Sequence, residues 1–347
     1  ASRARCARSR RLVRRATRAR GKTMKAAVYY QTGGPEVFRY EELPDPVCRP
    51  GGVLIDVKYV GIQGGDTLHR TGGELATVPH VVGYQASGIV REVGERVTDR
   101  KPGDRVVATM SFGSHASMVS VPVQASYLVP DSLSLEEAAG VPIEFATAAD
   151  CLFEFGHLQA GETVLVQAGA GGVGLAAIQL AKRAGATVIA TASSDERLER
   201  LREFGLDHPI NYRSQDFVAR TMELTGGRGV ELVVDSVGGK TLEGSVAALA
   251  YRGRISWVGN AGREGAPPAL SPIMQKNASV TGVFLGAELG RNAQRTRPLI
   301  EGLLERVASG ELRVVVDRVF PLSDAEGAHR YVESRQAFGR VLLSTEG

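Results

Sequence analysis

The sequence predicts an α/β protein, with a β-rich N-terminal region followed by a doubly wound parallel sheet. Three observations carry this prediction. The run Thr163-Val-Leu-Val-Gln-Ala168 is short, apolar and rich in β-branched residues, as a buried parallel strand is. Gly169, Gly171 and Gly174 follow at once in the spacing G-x-G-x-x-G, and a helical pattern opens behind them with Leu175, Ile178, Gln179, Ala181 and Lys182. Strand and helix patterns then alternate as far as residue 309, whereas before residue 130 the signals are strand and turn.

Taken in order, a strand over 25–30 is turned by Gly33-Gly-Pro35, and a second over 53–60 ends at Gly61. Strands over 88–93, 105–108 and 116–121 continue an all-β region. Ser134-Leu-Glu-Glu137 reads as a capping box that starts a helix. Pro142 is read as interrupting it, and another helix runs from about Thr147 to Phe155. Strands over 164–168, 187–191, 231–235, 254–258 and 279–284 then alternate with helices over 172–184, 194–204, 214–224, 239–249 and 295–309. That spacing implies parallel strands joined by right-handed crossovers. After Gly310 a strand (313–320), a helix (324–334) and a strand (339–344) are too short to stand alone. They are expected to pack back on the N-terminal β region.

Composition narrows the class. With 43% apolar and 23% charged residues the chain reads as globular. It contains no apolar stretch of membrane-spanning length, so no membrane partner is expected. Cys6, Cys48 and Cys151 are far apart, which argues against a zinc knuckle or a disulfide framework, and a reduced, cytoplasmic setting is expected. The net charge of +4 is misleading: residues 1–23 hold ten basic residues and no acid, and without them the balance is −6. This segment has three readings: a nucleic-acid or anionic-membrane contact, a transit peptide, or an extension ahead of a start at Met24. The last is preferred, and 1–23 is set apart from the fold.

A strand, a glycine turn and a helix in that order suit a dinucleotide. The glycines allow the turn, the close approach to the pyrophosphate and the helix–strand packing, and the helix N-terminus supplies N–H donors. The next strand decides which dinucleotide. An acid at its end would bond a ribose 2′-OH, but that position reads Ala192. Asp195 and Glu196 lie just beyond, and a Ser193-x-x-Glu196 capping box explains them locally. Ser193, Ser194 and Arg197 suit a 2′-phosphate instead, with Tyr212 as a wall beside the adenosine. NADPH is therefore favoured over NADH; the competing reading of Arg197 is a solvated helix residue.

Several motifs in order carry a family resemblance: Gly33-Gly-Pro-Glu-Val37, Lys101-Pro-Gly-Asp-Arg-Val106, Ala168-x-x-Gly-Gly-Val-Gly174, Ile210-Asn-Tyr212, Asp235-Ser-Val-Gly238, Val258-Gly-Asn260 and Ser334-Arg-Gln-Ala-Phe-Gly339. From Met24 onward the chain resembles the zinc-free quinone oxidoreductase (zeta-crystallin-like) branch of the medium-chain dehydrogenase/reductases. The resemblance implies a GroES-like domain from 24–144 and 311–347, and a Rossmann NADPH-binding domain from 145–310. It implies a homodimer formed through the edge of the Rossmann sheet. It places the pyrophosphate on the backbone of Gly171, Gly172 and Val173, and the 2′-phosphate at Arg197 and Tyr212. It sets Thr147 and the segment Val258 to Asn260 beside the nicotinamide, and closes Gly339-Arg340 over the cofactor.

The substrate end departs from the pattern. Where zinc alcohol dehydrogenases open with a Cys and follow with Gly-His-Glu, this chain reads Gln63 and Gly83-Tyr84-Gln85. Zinc needs N or S ligands at fixed spacing, so no metal is expected, and His69 and His80 are read as surface or core residues. Where quinone reductases read Asn-x-x-Asp-x-Tyr, the chain has Gln63-Gly-Gly-Asp66-Thr-Leu68. Gln63 and Tyr84 are candidate donors to an acceptor oxygen; Asp66 is weighed as a turn carboxylate and as a catalytic group. The expected reaction is hydride transfer from NADPH to an electron-poor small molecule, a quinone or an enone or enoyl thioester. A non-catalytic, RNA-binding protein is a third reading, and the acidic body counts against nucleic acid.

Overall fold

A parallel sheet and a mixed sheet lie side by side in the computed structural model, which describes residues 23–346 apart from Ala266. The basic segment, save Thr23, lies outside these residues. The chain begins with β1 (Thr23–Val28) and β2 (Arg39–Pro44), then β3 (Gly52–Gly61), α1 (Gly64–Gly72), β4 (Gln85–Val93), β5 (Arg105–Thr109), β6 (Met118–Pro122) and β7 (Ser126–Leu128). Helices α2 (Leu135–Ala138) and α3 (Pro142–Ala149) lead out of this region. The parallel half follows: β8 (Thr163–Val166), α4 (Gly172–Arg183), β9 (Thr187–Ala192), α5 (Asp195–Arg202), β10 (His208–Asn211), α6 (Phe217–Leu224) and β11 (Val230–Asp235). It continues through α7 (Gly239–Ala248), β12 (Leu249–Trp257), β13 (Ser279–Gly282), α8 (Leu285–Arg291) and α9 (Ala293–Ala308). β14 (Val316–Pro321), α10 (Ala325–Glu333) and β15 (Arg340–Ser344) complete the chain.

The parallel sheet has the order β10-β9-β8-β11-β12-β13. The chain steps outward from β8 to one edge, then returns to β11 and steps the other way. This reversal opens a crevice at the carboxyl ends of β8 and β11, the place where open parallel sheets bind ligands. Helices cover both faces, so residues of both parities are buried along the strands: Val164, Leu165, Val166, Val188, Ile189, Val233 and Val234. In the mixed sheet β15 pairs antiparallel with β3, Leu342 opposite Gly61, and β14 runs parallel beside β15. The C-terminal piece thus returns to the N-terminal β region, as the sequence predicts. Among the described residues no helix is long and apolar enough to cross a membrane.

Local chemistry corrects the sequence reading at α1, α3, α5 and α8, and the structure adds the strands β2 and β7. Residues 24–130 are not all β, because α1 interrupts them. Its first turn is held by the Asp66 carboxylate, which accepts the Gln63 N–H at 2.8 Å. Pro142 does not interrupt a helix; it opens α3, where its missing N–H removes no helical hydrogen bond. Thr147 therefore sits inside a helix rather than at the start of one. The cap of α5 is Ser194, whose Oγ accepts the Arg197 N–H at 3.4 Å, one residue later than the box read from Ser193. Finally, α8 occupies a stretch the sequence left outside its helices, with Gly286 and Gly290 diluting the pattern.

Candidate active site

The glycine turn lies at the crevice. Gly171 is the N-cap of α4 and no side chain caps the helix. First-turn N–H groups have no carbonyl to reach inside a helix, so this end is a ready anion site. The turn is tied to β9 by the Gly169 N–H, which donates to the Thr191 carbonyl at 2.8 Å. A Cβ on Gly174 would stand 2.4 Å from the Ala168 carbonyl oxygen, and one on Gly172 2.8 Å from Arg340 Nη1. A Cβ on Gly171 would meet only that same carbonyl, at 3.4 Å. The loop is thus packed shut at Gly174 and open at Gly171, which suits a pyrophosphate. Gly339 lies against it, its N–H donating to the Ala170 carbonyl at 2.9 Å.

At the end of β9, Ala192 is buried and leads to Ser193 and Ser194. The nearby Asp195 carboxylate is held by Asn211 Nδ2 at 3.0 Å. Arg197 reaches the other way, Nη2 donating to the Gln336 carbonyl. Tyr212 follows β10 and is half-exposed, its N–H on the Ala192 carbonyl at 3.2 Å. Beyond β11, buried Asp235 organises the turn: Oδ1 accepts the Val237 and Gly238 N–H groups, both at 2.9 Å, and Oδ2 accepts the Ser245 hydroxyl at 2.8 Å. The Val258 N–H donates to the Asp235 carbonyl at 2.8 Å. Asn260 stands over this turn, its Oδ1 2.7 Å from where a Gly238 Cβ would lie.

The mixed-sheet domain brings its candidates to the same junction. Gln63 is buried and its Nε2 donates to Glu144 Oε1 at 2.6 Å. Glu144, on α3 one turn before Thr147, also accepts from Gln85 Nε2 at 3.0 Å and pairs with Arg340 at 2.5 Å. Arg340 donates to the Ile62 carbonyl as well. A single buried carboxylate thus joins the head of α1, β4, α3 and β15, and its Cγ lies 2.9 Å from where a Gly172 Cβ would be. Asp66 is fully buried; burial pushes its carboxyl up to about 7, against the pull of the Gln63 N–H, and its Oδ1 has no partner. The Tyr84 hydroxyl rests on Gly65, where a Cβ would come within 2.4 Å of it. Burial raises the phenol well above its ordinary value and Asp66 adds to this, so Tyr84 remains a proton carrier near neutrality.

Glu144 and Gln85 were not among the residues singled out from sequence. The available signal for Glu144 was a lone acid inside the apolar run Ala138 to Ala149. His69 and His80 stack at 4.9 Å in an aromatic cluster with Tyr29, which bonds His69 Nδ1 at 3.0 Å. Among the described residues no group of three His, Cys, Asp or Glu side chains is placed to hold a metal ion.

Dinucleotide-dependent oxidoreductases with two domains are built in this way, the nucleotide on the parallel sheet and the second domain across the crevice. Residues 49–131 match the family model of the alcohol dehydrogenase GroES-like domain, and residues 172–304 that of the zinc-binding dehydrogenase. A 2-haloacrylate reductase from Burkholderia sp is 34% identical over 92% of this chain and 98% of its own. The quinone oxidoreductase of Sus scrofa is 30% identical over 93% and 98%. The solved structure of the Escherichia coli quinone oxidoreductase complexed with NADPH has a TM-score of 0.87 at 32% identity, covering 92% of this chain and 99% of that one. The chain belongs to the quinone-oxidoreductase-like medium-chain dehydrogenase/reductases.

Proposed function

We propose that the protein is an NADPH-dependent reductase that delivers hydride, without a metal, to an electron-poor acceptor of the quinone type. The uncapped head of α4 at the crevice carries this reading, together with Ala192 in place of an acid at the end of β9. Gly169, Gly171, Gly172, Val173 and Gly174 hold the pyrophosphate. Ser193, Ser194, Arg197 and Tyr212 surround the 2′-phosphate, and for this Arg197 exchanges the Gln336 carbonyl for the anion. Thr147, Val258 and Asn260 flank the nicotinamide, while Gly339 and Arg340 close the loop side. NADPH in the complex of the Escherichia coli relative supports the same choice. Arg197→Leu is expected to weaken NADPH binding about 10- to 100-fold, the worth of a charged hydrogen bond, and to leave NADH binding nearly unchanged. Fluorescence titration with both nucleotides measures this; equal losses for the two would remove the 2′-phosphate contact.

When bound, the reduced nicotinamide supplies the hydride. The residues opposite bind, orient and polarise the acceptor. Gln63 Nε2 has two hydrogens, one committed to Glu144, and the second is a donor for the acceptor oxygen. Tyr84 donates to the same developing charge and passes a proton to it. Asp66 orients Gln63 by accepting its N–H at 2.8 Å. Tyr84→Phe is expected to lower kcat at least about tenfold, with a smaller change in KM. Unchanged turnover with every acceptor would take the proton donor away.

An electron-poor alkene is the second reading, favoured by the similarity to a 2-haloacrylate reductase. NADPH and NADH oxidation against small quinones and enones decides between the two, and a preference for NADH would overturn the cofactor choice. The homodimer forms through β13, the outer strand of the parallel sheet, beside exposed Phe284 and Met274. Sedimentation as a monomer would exclude it.

A further inference from the structure

The loop after β12 carries a guanidinium across to the mixed-sheet domain. Its backbone is pinned at three points. Ala261 N–H donates to the Ser236 carbonyl at 3.1 Å, Gly262 N–H to the Val237 carbonyl at 2.8 Å, and Arg263 N–H to the Asn260 carbonyl at 3.0 Å. Arg263 has φ +59°, a left-handed conformation that few residues with a Cβ adopt. From there Nη2 donates to Thr67 Oγ1 at 2.9 Å and to Glu333 Oε1 at 3.1 Å. Thr67 lies one turn along α1 from Gln63, and its hydroxyl donates to the Gly64 carbonyl at 2.8 Å. A cation is therefore held between the substrate-side amide and the segment Val258 to Asn260.

Glu333 does not neutralise this cation alone. The same Oε1 takes Nη2 of Arg70, whose Nη1 donates to the Gly33 carbonyl at 2.5 Å. The Arg70 side chain is 1% exposed and that of Arg263 is 37% exposed. The other carboxylate acting on Arg70 is Glu36, which is itself exposed to solvent. Arg335 adds a third guanidinium on the loop side, donating to the Ala261 carbonyl at 3.0 Å. Two guanidiniums share one carboxylate oxygen, and Arg263 is the more accessible of them. A guanidinium fork fits a carboxylate in two-point contact.

We propose that Arg263, braced by Thr67, forms a subsite for a carboxylate on the acceptor, so that among electron-poor alkenes the preferred substrates are small α,β-unsaturated acids. This rests on hydride transfer to an electron-poor alkene, the second reading above, and names its substrate class. The carboxylate itself does not break or form a bond. Hydride adds to the β-carbon, the π pair shifts to the α-carbon and takes a proton there from the Tyr84 hydroxyl, the double bond becomes single, and NADPH leaves as NADP+. Charge that grows on the carboxylate as the π pair moves is met by Arg263, and an unsaturated acid is a poor hydride acceptor without such a partner.

The test compares 2-chloroacrylate with its methyl ester at saturating NADPH. The ratio of their kcat/KM values is expected to fall about 10- to 100-fold in Arg263→Gln, and Arg263→Lys is expected to recover part of it. A ratio unchanged within threefold would make Arg263 a latch between domains and overturn the subsite. Binding is read separately by titrating 2-chloropropionate, which cannot be reduced, into the protein–NADPH complex and following nicotinamide fluorescence. Binding weakened at least tenfold by Arg263→Gln supports the subsite even if no acceptor turns over, in which case only the hydride-transfer reading fails. Equal binding to both proteins, or none, overturns the subsite.

Discussion

Glu144→Ala is expected to lower the unfolding free energy by about 3–5 kcal/mol, the usual cost of removing one partner of a buried ion pair. Glu144 is 1% exposed and Arg340 8% exposed, so the buried guanidinium left behind keeps the Ile62 carbonyl but loses its ion-pair partner. Gln63 Nε2 loses its acceptor at the same time, whereas Gln85 Nε2 keeps the Ala139 carbonyl. The loss reaches the site as well as the fold, because the same carboxylate sets the Gln63 amide and backs Gly172. Urea unfolding measures the stability term. Glu144→Gln, which keeps the shape but not the charge, is expected to fall between wild type and the Ala variant. Arg340→Met placed on Glu144→Ala is expected to cost less than Arg340→Met alone, since the charge that lacked a partner is gone. Additive costs in that cycle would show that the two side chains act independently.

The parallel half of the chain was readable because its signals are local. A β-branched run, a glycine turn and a helical period sit next to one another in sequence, and each element buries its residues by a rule of short range. The places where reading failed depend on context. At α1 the glycines Gly64 and Gly65 hide the helix, and its cap is an Asp66 carboxylate that also reads as a turn residue. Pro142 looks like a breaker until the chain is seen to enter the helix there. The site divides in the same way. The glycine loop is contiguous and its strand–turn–helix form was legible, and Gly339, part of a motif read from sequence, lies against it. Glu144 gathers donors that stand 59 and 81 residues away in sequence, and Arg340 reaches back 278 residues to Ile62. No local pattern announces such a meeting. Arg263 is similar: its significance comes from Thr67 and Glu333 in the other domain, not from its neighbours in the chain.

The second large effect separates two glycines of one motif. Gly171→Ala is expected to abolish NADPH binding, a loss of at least about 100-fold, with the melting temperature nearly unchanged. Its Cβ meets only the Ala168 carbonyl oxygen at 3.4 Å, an ordinary contact, so the folded chain accepts it. The phosphates do not, because the methyl occupies the open side of the loop where the backbone must approach them. Gly174→Ala differs. Its Cβ would stand 2.4 Å from the Ala168 carbonyl oxygen and 2.7 Å from Gly169 Cα, both backbone atoms that cannot swing aside. The head of α4 must then move off the turn, which costs about 1–3 kcal/mol of stability and carries the Gly172 and Val173 N–H groups out of place. Both variants lose the nucleotide, and only Gly174→Ala melts early. Thermal unfolding and NADPH fluorescence on the same preparations distinguish them. If Gly171→Ala binds NADPH as wild type does, the pyrophosphate does not lie on this loop, and the cofactor assignment at Arg197 and Tyr212 fails with it.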